Sequence, residues 1–127
     1  MTKPTVAIVG ANTDRSKYAN KSVRAHLQSG YEVFPVNPRG GEVEGLPVLA
    51  SVADIPGDRP LNRVSMYVLP RVGITLLPDI AQRGCDELWL NPGTQSDALI
   101  EMAESLGINV VEGCSIVDLG ISPYQLG

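Results

Sequence analysis

Short apolar runs alternate along this chain with segments whose apolar residues recur every three or four positions. Residues 6–9 form a β-branched run that enters Gly10, and residues 31–36 form a second run of the same kind. Between them, residues 18–28 carry apolar side chains at helical spacing and are followed by Gly30. This pattern predicts a strand, an amphipathic helix that ends at a glycine, and a second strand.

The same alternation continues to the C-terminus. We predict further strands at 47–50, 61–69, 87–91 and 108–111. Residues 72–83 read as a helix, although Pro78 inside it should kink the helix or mark its true start. A last helix should begin at Thr94, because Asp97 follows three residues later at the spacing of a capping box.

Strands that alternate with helices favour a parallel sheet covered on both faces. We therefore predict an α/β, Rossmann-like fold of three layers, α/β/α, with a five-stranded parallel sheet in the order 3-2-1-4-5, in which the sixth strand-like run, 108–111, is not included. The third strand, 47–50, is the weakest of the set. No linker, repeat or low-complexity tract divides the sequence, which predicts one domain over residues 1–127.

In such a sheet, ligands bind beyond the carboxyl ends of the strands, where the strand order reverses. That point lies between the first and fourth predicted strands, so loops 10–18, 37–41, 69–72 and 91–94 should converge there. Basic residues gather in or near these loops and the first helix: Arg15, Lys17, Lys21, Arg24, Arg39 and Arg71. A helix N-terminus also favours an anion. A phosphate-bearing ligand is the resulting prediction, and solvated surface charge is the alternative.

Two features of the sequence narrow the choice of phosphate ligand. The dinucleotide fingerprint needs three glycines, whereas GANTDR offers only Gly10, with Asn12 and Thr13 in place of the glycine of close approach. An NAD site places an acid at the end of the second strand, where this chain reads VNPRGG and has Arg39. An arginine suits a ribose phosphate, so NADP and a nucleotide with a 3′-phosphate, such as coenzyme A, both remain open.

Four segments, GANTDRSKYANK, GYEVFPVNPRGGEVEGLPVLASVADIP, YVLPRVG and LWLNPG, resemble the small single-domain CoA-binding proteins. These are similar to the CoA-binding domain of the succinyl-CoA synthetase alpha subunit and of ADP-forming acyl-CoA synthetases. The resemblance extends from about residue 5 to residue 114. It implies a Rossmann-like domain that binds coenzyme A, or an acyl-CoA, through its ADP half.

The resemblance also implies which residues form the site. The pyrophosphate and ribose-phosphate pocket would be lined by Gly10, Ala11, Asn12, Arg15 and Lys17, with Thr13 in the same loop. Asn37, Pro38 and Arg39 would approach the 3′-phosphate, and Leu69 and Pro70 would pack beside the adenine or the start of the pantetheine. Asn91, Pro92 and Gly93 would flank the pantetheine arm. Tyr18 would stack on a ribose or adenine, or pack at the helix boundary.

Signals for catalysis or metal binding are weak in this sequence. His26, Cys85 and Cys114 are too few and too scattered for a metal site, and no nucleophile elbow is present. We expect no catalytic and no metal-binding residue, and a non-catalytic CoA-binding protein that acts as a sensor or carrier. Whether Cys114 pairs with the CoA thiol or is inert stays open. The alternative is an NADP-binding redox or sensor domain. A third hypothesis is a degenerate Rossmann domain that binds no nucleotide and only assembles with a partner chain.

Composition limits the remaining classes of function. The chain has 127 residues, of which 43% are hydrophobic and 19% charged, as in globular proteins. Its net charge of −4 argues against nucleic-acid binding. We expect no membrane span, and no signal peptide in MTKPTVAIVG. The two cysteines favour a reducing compartment, and therefore a cytoplasmic location.

Overall fold

The computed structural model describes residues 3–127; Met1 and Thr2, with which the predicted domain begins, lie outside the described residues. The strands are β1 (Thr5–Val9), β2 (Glu32–Val36), β3 (Glu42–Val43), β4 (Leu46–Pro47), β5 (Leu61–Met66), β6 (Cys85–Leu90) and β7 (Val110–Glu112). The α-helices are α1 (Tyr18–Gln28), α2 (Pro70–Arg83), α3 (Asp97–Ser105) and α4 (Ser115–Asp118), and 3₁₀ turns span Val52–Asp54 and Pro123–Leu126.

The main sheet has five parallel strands in the order β2-β1-β5-β6-β7, with helices on both faces. The predicted fold class is confirmed, and the strand order reverses between β1 and β5 as expected. The predicted order 3-2-1-4-5 is wrong about one strand, because residues 47–50 do not form a strand of the main sheet. Residues 42–47 pair with each other as the β3-β4 hairpin, so the predicted strand 47–50 reaches β2 only through an isolated bridge from Leu49 to Val36. The segment predicted at 108–111 forms β7 and takes the fifth place.

Helix boundaries follow the local signals for α1, and differ from them at the starts of α2 and α3. Helix α1 has the predicted bounds, and Gly30 follows it with φ of 84°. Helix α2 begins at Pro70 and continues through Pro78, so Pro78 does not mark its start. The capping box predicted at Thr94 is wrong, because Ser96 caps α3 by accepting a hydrogen bond from the Leu99 amide.

The sheet separates two apolar layers. Val6 and Ile8 of β1 face α1, whereas Ala7 and Val9 face the layer that also contains α2 and α3. All four side chains are buried, as expected for a central parallel strand. The sheet is therefore covered on both faces, and the loops at its carboxyl edge are left open to solvent.

A C-terminal segment made of α4 and the last 3₁₀ turn covers α1. Ile116 and Leu126 pack on Ala25. Arg63, a buried residue of β5, donates to Asp118 of α4 over 2.8 Å, and its guanidinium lies 4.9 Å from the centre of the Trp89 ring. These contacts join the chain end to the sheet. Within residues 3–127, no helix combines the length and apolarity needed to cross a lipid bilayer.

Candidate functional site

Gly10, the residue after β1, is where two loops meet at the carboxyl edge. It has φ of 89°, and a Cβ built there would lie 2.9 Å from Cγ1 of Val68 and 3.3 Å from the backbone of Tyr67. Its amide donates to the carbonyl of Val36 at the end of β2, over 2.9 Å. The β1 loop therefore passes directly against the β5-α2 connection, and only glycine fits without displacement.

Side chains, instead of further glycines, shape the loop after Gly10. Asn12 accepts a hydrogen bond from the Asp14 amide over 2.8 Å. Asp14 in turn accepts from the hydroxyl and amide of Ser16, at 2.7 and 2.9 Å, and these bonds lower the pKa of the Asp14 carboxyl. The loop leads into α1, whose N-cap Lys17 makes no side-chain cap and whose first turn contains no acid. The first turn of α1 thus supplies no anion of its own to the positive end of the helix, although Glu44 accepts from Nδ2 of Asn20 there over 3.1 Å.

The second predicted loop lies against the first. Asn37 donates from Nδ2 to the carbonyl of Ala11 over 3.0 Å and accepts at Oδ1 from the amide of Arg39 over 2.9 Å. Pro38 and the Arg39 side chain are exposed. Among the described residues Arg39 has no ion-pair partner. The structure therefore brings 10–18 and 37–41 together, with an uncompensated cation between them.

Two concave spaces open on either side of Gly10. The first, which we call the β2-side cavity, has about 470 Å³ and is lined by Val9, Gly10, Asn12, Val36, Asn37, Pro38, Arg39, Ala50, Ser51, Val52, Val68, Val72, Leu76 and Asp79. The second, the α1-side groove, has about 310 Å³ and is lined by Gly10, Asn12, Lys17, Tyr18, Ala19, Tyr67, Val68, Leu69, Pro92, Gly93 and Thr94. They share Gly10, Asn12 and Val68, and together we call them the switch-point cleft.

Exposed apolar side chains surround this cleft. Tyr18 and Leu69, at the rim of the groove, are 51% and 55% exposed, and Val72 of the cavity is 42% exposed. A smaller niche of about 150 Å³ beside the cavity brings Thr13 to Arg39. Apolar surface left open around a cleft with a few polar groups is typical of a ligand site.

The basic residues predicted from the sequence differ in whether their side chains line the cleft. Lys17 lines the groove, but Arg15, with a side chain 64% exposed, forms an ion pair with Glu44 over 3.2 Å. Arg24 donates to Oδ1 of Asn20 over 2.8 Å, to the carbonyl of Arg15 over 2.7 Å and to that of Leu126, so it supports the loop and is not available to an anion.

Two more basic residues lie outside the cleft lining. Lys21 holds its ammonium 5.4 Å from the centre of the Tyr18 ring, and Arg71 is exposed in the first turn of α2. Neither is among the residues that line the cavity or the groove. The basic cluster predicted from sequence therefore contributes fewer cations to the cleft than its size suggests.

Asn91 supports the loop after β6 from beneath. It is 2% exposed, donates to Oγ of Ser65 and to the carbonyl of Met66, both over 2.9 Å, and accepts from the Ser115 amide over 2.9 Å. With its polar atoms all engaged, Asn91 positions Pro92 and Gly93, which line the groove.

The sequence did not predict several residues that line the switch-point cleft. Tyr67 lies in the groove with its hydroxyl 3.2 Å from that of Ser115, and burial raises its pKa. Val72, Leu76 and Asp79 line the cavity from α2. Their spacing of four and three residues was the available signal, because such positions share one helix face.

A larger cavity, of about 670 Å³, lies at the opposite edge, among the amino ends of the strands. Its Arg83 donates from Nε, Nη1 and Nη2 to the carbonyls of Ile55, Arg59 and Pro56 over 2.6 to 2.9 Å. The remaining charges there are of both signs. This cavity offers no single ligand chemistry, so the switch-point cleft is the stronger candidate despite its smaller volume.

Two buried ionisable groups outside the cleft have shifted pKa values. Burial raises the pKa of the Cys85 thiol to about 11 and lowers that of His26 to about 4. Cys114 is half-buried at the start of α4. In the part of the chain that the structure describes, no cluster of three or more His, Cys, Asp or Glu side chains could hold a metal ion.

Comparison with known proteins agrees with this picture. A family model described as a CoA binding domain matches residues 4–120. A conserved hypothetical protein from Pyrococcus furiosus has a TM-score of 0.80 and 30% identity, over 92% of this chain and 99% of that one. A Thermus thermophilus protein has a TM-score of 0.82 and 28% identity, over 98% and 91%. These likenesses confirm the resemblance carried by the four motifs.

A larger enzyme contains the same fold as one part. The dinucleotide-forming acetyl-coenzyme A synthetase 1 of Ca. Korarchaeum cryptofilum, in complex with phosphate and ADP, has a TM-score of 0.72 and 24% identity. The match covers 84% of this chain but only 25% of the synthetase. At that identity the likeness concerns the fold alone.

Proposed function

This chain belongs to the CoA-binding domain family, and on that premise we propose that it binds coenzyme A, or an acyl-CoA, along the switch-point cleft. The observation that carries the proposal is the continuity of the cleft across Gly10. A largely apolar cavity beside Arg39 leads to a narrower groove between exposed apolar side chains. Coenzyme A has the same order of parts: a base with a phosphorylated ribose, a pyrophosphate and a thin pantetheine arm.

Each part of the ligand has a matching surface. The β2-side cavity receives the adenosine, and Arg39, with Thr13 in the adjoining niche, meets the 3′-phosphate. The pyrophosphate crosses Gly10 in front of the α1 N-terminus, where Lys17 and the helix dipole oppose its charge. The pantetheine then passes between Tyr18 and Leu69, whose exposed apolar surface it covers.

We further propose that the protein does no chemistry alone and acts as a sensor or carrier. Among the described residues that line the cleft, the single carboxylate is that of Asp79, an exposed residue of α2. The groove that would hold the thiol end has Lys17, Tyr18 and Tyr67 as its ionisable groups. Among the described residues of the groove lining there is no His, Cys, Asp or Glu, and these are the side chains that most often transfer a proton or attack a thioester.

Calorimetric titration with CoA and dephospho-CoA tests the binding proposal. We expect saturable binding of CoA at one site and weaker binding of dephospho-CoA by about tenfold or more, because a charge-assisted hydrogen bond is lost. Arg39→Ala should remove that difference. Arg71→Ala is the matched control, because it deletes an exposed arginine at the same edge but outside the cleft lining, and should keep the difference.

The outcomes separate the candidate functions. Absence of CoA binding refutes the proposal, and equal affinity for the two ligands refutes the role of Arg39 alone. Arg39 also suits the 2′-phosphate of NADP. A fluorescence titration in which NADPH saturates the protein while CoA does not would replace the proposal with an NADP-binding domain. Binding of neither ligand would favour a domain that functions only with a partner chain.

A further inference from the structure

A buried asparagine in the first turn of α1 holds the loop that follows Gly10. Asn20 is 0% exposed. Its Nδ2 donates to the carbonyl of Asn12 over 2.9 Å and to Oε2 of Glu44 over 3.1 Å, and its Oδ1 accepts from Nε of Arg24 over 2.8 Å. Because its amide is engaged on both the nitrogen and the oxygen, Asn20 fixes the Asn12 carbonyl against the helix.

This contact also sets the direction of a backbone amide in the loop. The carbonyl and the amide of one trans peptide unit point in opposite directions, so the Thr13 amide points away from Asn20. Asn37 holds the Ala11 carbonyl in the same way and thereby directs the amide of Asn12. Among the described residues, the amides of Asn12 and Thr13 donate to no protein acceptor. Side chains therefore direct two free donors here, as glycine-rich loops direct theirs toward phosphate.

Arg24 joins this loop to the last 3₁₀ turn of the chain. It follows Asn20 by four residues, so the two side chains share one face of α1. Its Nη2 donates to the carbonyl of Arg15 over 2.7 Å, and its Nη1 donates to the carbonyl of Leu126. Leu126 is 7% exposed and packs on Ala25, which seats the turn on α1. One planar guanidinium thus contacts both the loop and a turn 102 residues further along the chain.

We propose that Arg24 couples the C-terminal 3₁₀ turn to the loop after Gly10, so that the seated turn keeps the loop in its anion-binding geometry and release of the turn weakens the binding of phosphate-bearing ligands. This inference rests on the proposed binding of coenzyme A in the switch-point cleft. Arg24 is a positioning residue, because it acts through Asn20 and the Arg15 carbonyl. The site is thereby open to regulation from a segment that lines neither the cavity nor the groove.

Calorimetric titration with CoA compares the wild type, Arg24→Lys, Leu126→Ala and the double variant, at a temperature at which thermal unfolding shows all four to be folded. Lysine keeps the positive charge but lacks the planar fork that reaches three acceptors, and Leu126→Ala removes the side chain that seats the turn. We expect each single variant to bind CoA about 3- to 30-fold less tightly, the range for substitutions that change the coupling between sites.

The double variant tests whether both substitutions act through one link. It should bind CoA no more than about twofold less tightly than the weaker single variant, whereas independent effects would multiply. Ser122→Ala, which removes only the cap of the turn, takes the place of Leu126→Ala if that variant does not fold.

Ile108→Ala is the matched control. Ile108 is 7% exposed, as is Leu126, but it packs in the layer that contains α2 and α3 and lines neither part of the cleft. A comparable loss of packing there should leave the CoA affinity within about twofold of the wild type, which is the usual precision of additivity.

Wild-type affinity in Arg24→Lys or in Leu126→Ala overturns the inference and leaves the proposed function standing. Full additivity in the double variant also overturns it. So does a loss of CoA affinity in Ile108→Ala as large as that in Leu126→Ala, because it would trace the effect to a general loss of stability. Failure of the wild type to bind CoA overturns the proposed function, and the inference with it.

Discussion

The contact between Gly10 and the β5-α2 connection sets the width of the switch-point cleft, and replacing Gly10 with alanine tests it. Two costs add in this variant. An L-residue at φ of 89° loses about 1–2 kcal/mol. A methyl group 2.9 Å from Cγ1 of Val68 and 3.3 Å from the Tyr67 backbone overpacks the site by about 1–3 kcal/mol.

Gly10→Ala should therefore lower the free energy of unfolding by about 2–5 kcal/mol, against a total of about 5–15 kcal/mol for a domain. Denaturant unfolding followed by tryptophan fluorescence measures this directly, because Trp89 is the single tryptophan and is 8% exposed in the folded state. The displaced loop should also weaken CoA binding in the same preparation.

Gly30→Ala separates the two costs. Gly30 has φ of 84°, and a Cβ there meets nothing within 4 Å, so this variant carries the backbone cost of about 1–2 kcal/mol alone. Adding Val68→Ala to Gly10→Ala removes the nearest clashing atom and should recover about 1 kcal/mol as a coupling energy. The Tyr67 backbone stays close, so recovery is incomplete. Equal destabilisation by Gly10→Ala and Gly30→Ala, or zero coupling with Val68→Ala, would refute the steric reasoning.

Three further measurements test the charges. Arg15→Ala with Arg39→Ala should weaken CoA binding by roughly 2–4 kcal/mol in calorimetry if both side chains contact phosphate; a loss under about 1 kcal/mol would contradict this. Glu44→Gln frees Arg15 from its ion pair and should tighten CoA binding by about two- to fivefold, whereas weaker binding would show that the pair supports the site. Burial lowers the pKa of His26 from 6.5 to about 4, so the unfolded chain takes up this proton first and stability falls as the pH drops from 6.5 to 4, by up to about 3 kcal/mol. His26→Leu should flatten that part of the stability–pH curve, and an unchanged slope would exclude His26 as its source.

Local pattern predicted much of this fold. Helix α1 has its predicted bounds because its apolar spacing and Gly30 act within a few residues of each other. The convergence of loops 10–18, 37–41, 69–72 and 91–94 also follows from sequence, since parallel strands place their carboxyl ends at one edge. The β3-β4 hairpin was missed, because two-residue strands leave almost no periodic signal.

What the sequence alone determined is the fold class, the reversal point of the sheet and the CoA-binding domain family that four motifs resemble. Only the tertiary structure decided which side chains line the cleft and which are already engaged by other residues of the chain. Charge is visible in a sequence, but Arg15 meets Glu44 from 29 residues away and Arg24 meets Leu126 from 102 away. Asp79 lies at the cavity because Val72, Leu76 and Asp79 share one side of α2, and folding places that side next to the loops after β1 and β2. The physical reason is that spacing along the chain records local geometry, whereas the partner of a long polar side chain depends on how distant segments pack.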